Sequence, residues 1–131
     1  MRGKMFTVVA TCAAVMAPLA LAGEGAAQYV KITESEWDIA GVPKKLKAGA
    51  ALHVAVTNQG NVVHELVLEK GNCTKQCAVV IRGHKAEIEG IRPGATKAAT
   101  WTLTKPGTYT FTCRVPGHWM AGCARHSPSR R

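Results

Sequence analysis

The punctuation of this chain constrains its fold more than any other feature. Pro93-Gly94, Pro106-Gly107 and Pro116-Gly117 interrupt the second half, and Lys47-Ala48-Gly49 and Asn58-Gln59-Gly60 interrupt the middle. Proline locks φ and has no N–H to donate, and glycine supplies the backbone angles of tight turns, so each pair marks a reversal of direction. Within the short intervals that remain, residue types alternate. Leu52, Val54 and Val56 alternate with His53, Ala55 and Thr57; Ala99, Trp101 and Leu103 with Thr100, Thr102 and Thr104; Tyr109, Phe111 and Cys113 with Thr108, Thr110 and Thr112. A period of two sends the two sets to opposite faces of a strand, and β-branched and aromatic residues fill such runs well. Val62 to Leu68 is apolar apart from His64 and Glu65, as a strand inside a sandwich can be. Short strands at this spacing predict an all-β sandwich or small barrel rather than a helical bundle. One short helical turn is expected around residues 73–80.

The 131 residues suffice for one domain, and 47% hydrophobic with 19% charged residues is ordinary globular composition. Residues 1–22 carry Arg2 and Lys4, then an uncharged apolar run from Phe6, then Ala20-Leu21-Ala22. A basic start, an apolar middle and small residues before the cut make a secretory signal peptide, with a second legal cut after Ala27. The domain is then expected over residues 28–123, with a basic, non-strand tail over 124–131. No other run is long and apolar enough for a membrane span, so no stable membrane insertion is expected after signal removal. Export to an oxidising compartment makes Cys73 and Cys77 a candidate local disulfide. The net charge of +9 permits an acidic protein, an anionic membrane or nucleic acid as partner. Nucleic acid is set aside, because no basic stretch is interleaved with aromatics.

The chemistry concentrates in Cys113-Arg-Val-Pro-Gly-His118. Pro116 and Gly117 force a tight loop that returns His118 beside Cys113 at a strand end. A thiolate paired with an imidazole suits copper or zinc. His64 is a second imidazole on an apolar strand, where an unpaired ring is costly to bury.

Three segments, Ala48 to Val67 with its His64, Ile91 to Thr96, and Lys105 to Gly122 with its Cys-Arg-Val-Pro-Gly-His loop, resemble the cupredoxins, most of all the small bacterial periplasmic plastocyanin/azurin type. The resemblance implies a Greek-key β-sandwich in which His64, Cys113 and His118 form the His₂Cys plane of a type 1 blue-copper site, with Asn58 or a nearby amide tuning the thiolate. Two departures stand out. Position 123 is Cys where the family's axial Met is usual, with Met120 the other sulfur nearby. The tail Ala124 to Arg131 also does not read as the family's last strand, so that strand is expected to be missing, as a frameshifted gene would leave it. His64, Cys113, His118 and Cys123 together make a Cys₂His₂ set that suits tetrahedral zinc.

The resemblance implies an exported, periplasmic or secreted, monomeric one-electron carrier that turns over no substrate of its own. Lys44, Lys45 and Lys47 are read most simply as a solvated face, with an acidic redox partner as the alternative they could meet. Two rival readings are a copper-handling or zinc-binding module without redox work, and a defunct domain.

Overall fold

The computed structural model describes residues 25–71, 77–118 and 124–130. Among the described residues eleven strands run in chain order: β1 (Gln28–Ser35), β2 (Asp38–Ala40), β3 (Leu46–Lys47), β4 (Ala51–Asn58), β5 (His64–Lys70), β6 (Val80–Ile81), β7 (His84–Lys85), β8 (Glu87–Ile91), β9 (Thr96–Thr102), β10 (Gly107–Thr112) and β11 (Ala124–Arg130). They form a four-stranded sheet, β2-β1-β4-β9, a five-stranded sheet, β3-β11-β10-β5-β8, and the small hairpin β6-β7. β1 runs parallel to β4 and β11 parallel to β3, and the other pairs are antiparallel. No helix occurs among the described residues: residues 77–80 of the expected helical turn are not helical, and residues 73–76 lie outside the described residues.

The alternation read from the sequence decides which residues meet between the sheets. Val30 and Ile32 on β1, Leu52, Val54 and Val56 on β4, and Trp101 on β9 face Leu66 and Leu68 on β5, Ile88 and Ile91 on β8, and Tyr109 and Phe111 on β10. Full burial of such a side chain contributes roughly 1.5–3 kcal/mol, so this layer dominates the stability. The chain passes between sheets from β4 to β5 and again from β8 to β9, which brings residues distant in sequence to one end of the sandwich. The Arg92–Ala95 turn makes the second crossing, closed by the Ala95 N–H donating to the Arg92 carbonyl at 2.9 Å, with Gly94 at φ +74.

The expected missing strand is present. Ala124–Arg130 forms β11, paired antiparallel with β10 from Gly107↔Ser129 to Thr112↔Ala124 and parallel with β3 at Ser129 and Arg130. Side-chain patterning fails to reveal this strand because its main chain carries the pairing: β10 offers a row of backbone groups that must be satisfied. Pro128 fits because β3 meets only Ser129 and Arg130, so β11 is a near-edge strand where it sits.

Candidate metal centre

The first imidazole is placed by the loop between β4 and β5. Asn58, fully buried at the end of β4, uses both side-chain protons on carbonyls, Val62 at 2.7 Å and Ile91 at 2.8 Å. Its carbonyl oxygen accepts from Gly60 N at 2.7 Å, an Asx turn that bends the chain into the loop. With both protons engaged there, Asn58 braces the loop rather than tuning the thiolate, which corrects the role expected for it. The Glu36 carboxylate, on the turn between β1 and β2, accepts from the main-chain N–H of Asn61, and such bonds hold its pKa below the usual carboxylate range. Gly60 permits this approach, since a Cβ there would stand 2.5 Å from Glu36 Oε1. β5 then begins at His64, which is fully buried and paired with Ile91 of β8, with a register shift before Leu66.

The thiol and the second imidazole come from the end of β10. Phe111 and Thr112 hold the strand against Leu68 and Val67 of β5, and Cys113 follows with its sulfur turned inward. Val115 to His118 then folds back, closed by the His118 N–H donating to the Val115 carbonyl at 3.0 Å, with Gly117 at φ +87. Only a residue without a Cβ takes that angle at no steric cost. This is the return that the Pro-Gly pair predicts.

The result is a buried triad. Cys113 Sγ lies 3.5 Å from His64 Nδ1 and 3.7 Å from His118 Nδ1, and one donor atom from each of the three residues lies within 4.8 Å of the others. Ion–nitrogen distances of about 2.0–2.1 Å and ion–sulfur distances of about 2.3 Å, opened at about 110–120°, separate the ligand atoms by about 3.6–3.8 Å. The triad therefore already has the spacing of a shared ion, and two imidazoles with one thiolate are the donor chemistry of copper or zinc. The rings of His64 and His118 tilt at 53° with centroids 4.7 Å apart. Cys123 and Met120 lie outside the described residues, as do the signal segment 1–22 and Cys73. Cys77 takes part in a disulfide. His53 is structural, hydrogen-bonded to Thr100 at 2.8 Å and stacked on Tyr29.

Several groups around the triad escape a reading of the sequence. Trp37, from the turn that carries Glu36, places its ring 5.9 Å from that of His118 while remaining 63% exposed, and Val62 and Val63 are exposed beside the same loop. Arg114, next to Cys113, reaches Glu69 with two bonds of 2.8 and 2.5 Å, and its main-chain N–H bonds the Glu65 carboxylate. Burial, then the Cys113 sulfur, raises the Glu65 pKa. Glu34 is 1% exposed with neither carboxylate oxygen bonded to a described residue. Burial first, then Cys113 and Glu65, push its pKa up to about 9. The alternation Val30, Ile32, Glu34 is a signal that would place this glutamate inside.

Comparison with known proteins agrees with the geometry. The sequence pattern of the copper binding proteins, plastocyanin/azurin family, matches residues 20–125. A copper-resistant cuproprotein, CopI, from Rubrivivax gelatinosus is 30% identical over 84 residues, 59% of this chain and 50% of that protein. CopI from Pseudomonas aeruginosa is 44% identical over 32 residues, 24% of this chain and 18% of that protein. The chain thus spans half or less of the length of these relatives. Among solved structures, reduced auracyanin from Roseiflexus castenholzii superposes with a TM-score of 0.63 at 21% identity, over 82% of this chain and all of that one. Auracyanin B does so with 0.66 at 22% identity, over 80% and 90%. The likeness to these structures carries the sandwich fold, and the pattern match carries the kinship: the chain belongs to the plastocyanin/azurin family of copper-binding proteins.

Proposed function

We propose that His64, Cys113 and His118 hold copper as a type 1 centre and that the protein is an exported one-electron carrier with no substrate of its own. The observation that carries this reading is the buried thiol with two Nδ1 atoms at 3.5 and 3.7 Å. Copper bound there would supply a one-electron couple. The chain's part is to keep the donors still. Asn58 and Glu36 brace the approach to His64, β10 and the Val115–His118 turn hold the other two, and the sandwich resists displacement of any of them. Such rigidity keeps reorganisation small between two charge states. His118 is the ligand nearest solvent, 8% exposed against 0% for His64 and Cys113, so exchange with a redox partner runs through its edge.

A second reading has its own support: the curated relatives are named for copper resistance. In that case the same triad stores or passes on copper, and Cys123 in place of a methionine would strengthen retention, of zinc as well as copper. Voltammetry of the copper-loaded protein separates the two. The carrier gives a reversible one-electron wave that is absent in Cys113→Ser. A handling protein gives no reversible wave and surrenders its copper to a chelator upon reduction.

A further inference from the structure

Five exposed lysines gather at one end of the sandwich, while Arg92 and Lys97 stand toward the other. β4 runs from Ala51 to Asn58 and β10 from Gly107 to Thr112, both toward the triad, so the opposite pole is where β4 and β10 begin and β5 ends. Register places Lys70 beside Tyr109, Arg130 beside Lys47 and Ser129 beside Gly107 at that pole. Lys44 and Lys45 immediately precede β3, and Lys105 precedes β10. Lys44, Lys45, Lys47, Lys70 and Lys105 are all exposed, and none makes an ion pair with a described residue. The acidic residues stand elsewhere. Glu34, Glu36 and Asp38 lie at the β1–β2 turn, Glu65 and Glu89 lie toward the triad end of the β5–β8 pair, and Glu87 stands opposite Val67, midway along β5. Glu69, adjacent to Lys70, is buried and neutralised by Arg114.

The same pole receives the N-terminal segment. Gln28 opens β1 beside Leu52, and its side chain bonds the main chain of Lys47 at both ends, 3.0 and 2.6 Å. Gly25, Ala26 and Ala27 lie against Gly49, Ala51 and Thr102. An eight-residue strand spans about 26 Å, so a protein seated on the lysines would stand that far from His118. The lysines thus stand at the end of the sandwich away from His118.

We propose that this lysine pole is a docking face for an anionic phospholipid surface, which turns the triad end away from the membrane. Clustered lysines gather at such surfaces within a Debye length of about 10 Å, and the attraction is lost as salt rises. The partner follows from charge complementarity: five exposed lysines share this pole, and no exposed acidic side chain stands among them.

The exported chain, its N terminus read by mass spectrometry, is sedimented with vesicles of phosphatidylcholine alone and with about one third phosphatidylglycerol, at low and high salt. Binding to the anionic vesicles at least tenfold above the neutral ones, abolished by high salt and in Lys44→Glu/Lys45→Glu/Lys105→Glu, is the expected result. The variant's melting temperature and copper spectrum, both unchanged, show that it folds. Equal binding to both vesicles, binding untouched by the variant, or no binding at all would overturn the proposal. Binding to polyglutamate without binding to anionic vesicles would also overturn it and assign the face to an acidic protein.

Discussion

The guanidinium of Arg114, one residue beyond Cys113, lies on the carboxylate of Glu69 through bonds of 2.8 and 2.5 Å, with Glu69 1% exposed. The main chain of Ala78 bridges Glu69 alongside, and the ion pair fastens the end of β10 to β5. His64 and Cys113, at the ends of those two strands, depend on that fastening for their separation.

Arg114→Ala leaves the Glu69 charge buried without its partner, and should cost about 3 kcal/mol of stability. Adding Glu69→Leu should recover most of the loss, because replacing both partners by apolar groups removes the stranded charge. Chemical denaturation of the two variants measures both effects. Equal instability of the single and double variants would show that the pair contributes by packing alone.

Glu34 makes the metal-free fold sensitive to alkali. Its folded pKa of about 9 lies above the ordinary 4.5, so the folded state retains a proton that the unfolded chain has lost. The stabilising effect is complete below about 4.5, and stability then falls by up to about 1.4 kcal/mol per pH unit until about 9. Glu34→Gln should flatten this slope and raise stability at pH 8 relative to the parent, with little change at pH 4.5. Melting curves of the metal-free proteins across that range decide it.

Gly60→Ala should displace the Glu36 carboxylate, because the new Cβ would stand 2.5 Å from Oε1. Losing the Glu36–Asn61 bond loosens the approach to His64. Faster loss of copper to a competing chelator, with a small drop in melting temperature, is the expected pair of readouts.

Trp37→Ala should leave stability within about 0.5 kcal/mol, since the indole is 63% exposed. Its ring lies against His118 and not against the core, so the effect should appear as a changed rate of electron exchange with unchanged folding. Stopped-flow oxidation by an inorganic reagent, read beside a thermal melt, measures the two separately.

The strands and the triad were legible because both rest on local rules. Leu52, Val54 and Val56 alternate because one face of β4 is dry, and Pro116-Gly117 can only turn the chain back toward Cys113. β11 was not legible, because its pairing is made by main-chain groups that carry no residue signature. Nor was Glu69, whose burial is met by Arg114 and by the main chain of Ala78 bridging beside it. Trp37 reaches His118 only through the β1–β2 turn, which the sequence leaves unplaced. Charge counting showed an excess of lysine, and only the strand directions show that five of those lysines share the pole far from the triad.

Titration of the metal-free protein with Cu(II), followed by visible absorption and EPR, tests most directly whether one sulfur and two imidazoles share an ion. One equivalent should produce an intense sulfur-to-copper charge-transfer band, absent in Cys113→Ser and altered in both His64→Ala and His118→Ala. A folded protein that binds copper with only a weak band, or whose Cys113→Ser variant gives the same spectrum, would contradict the triad as the copper site.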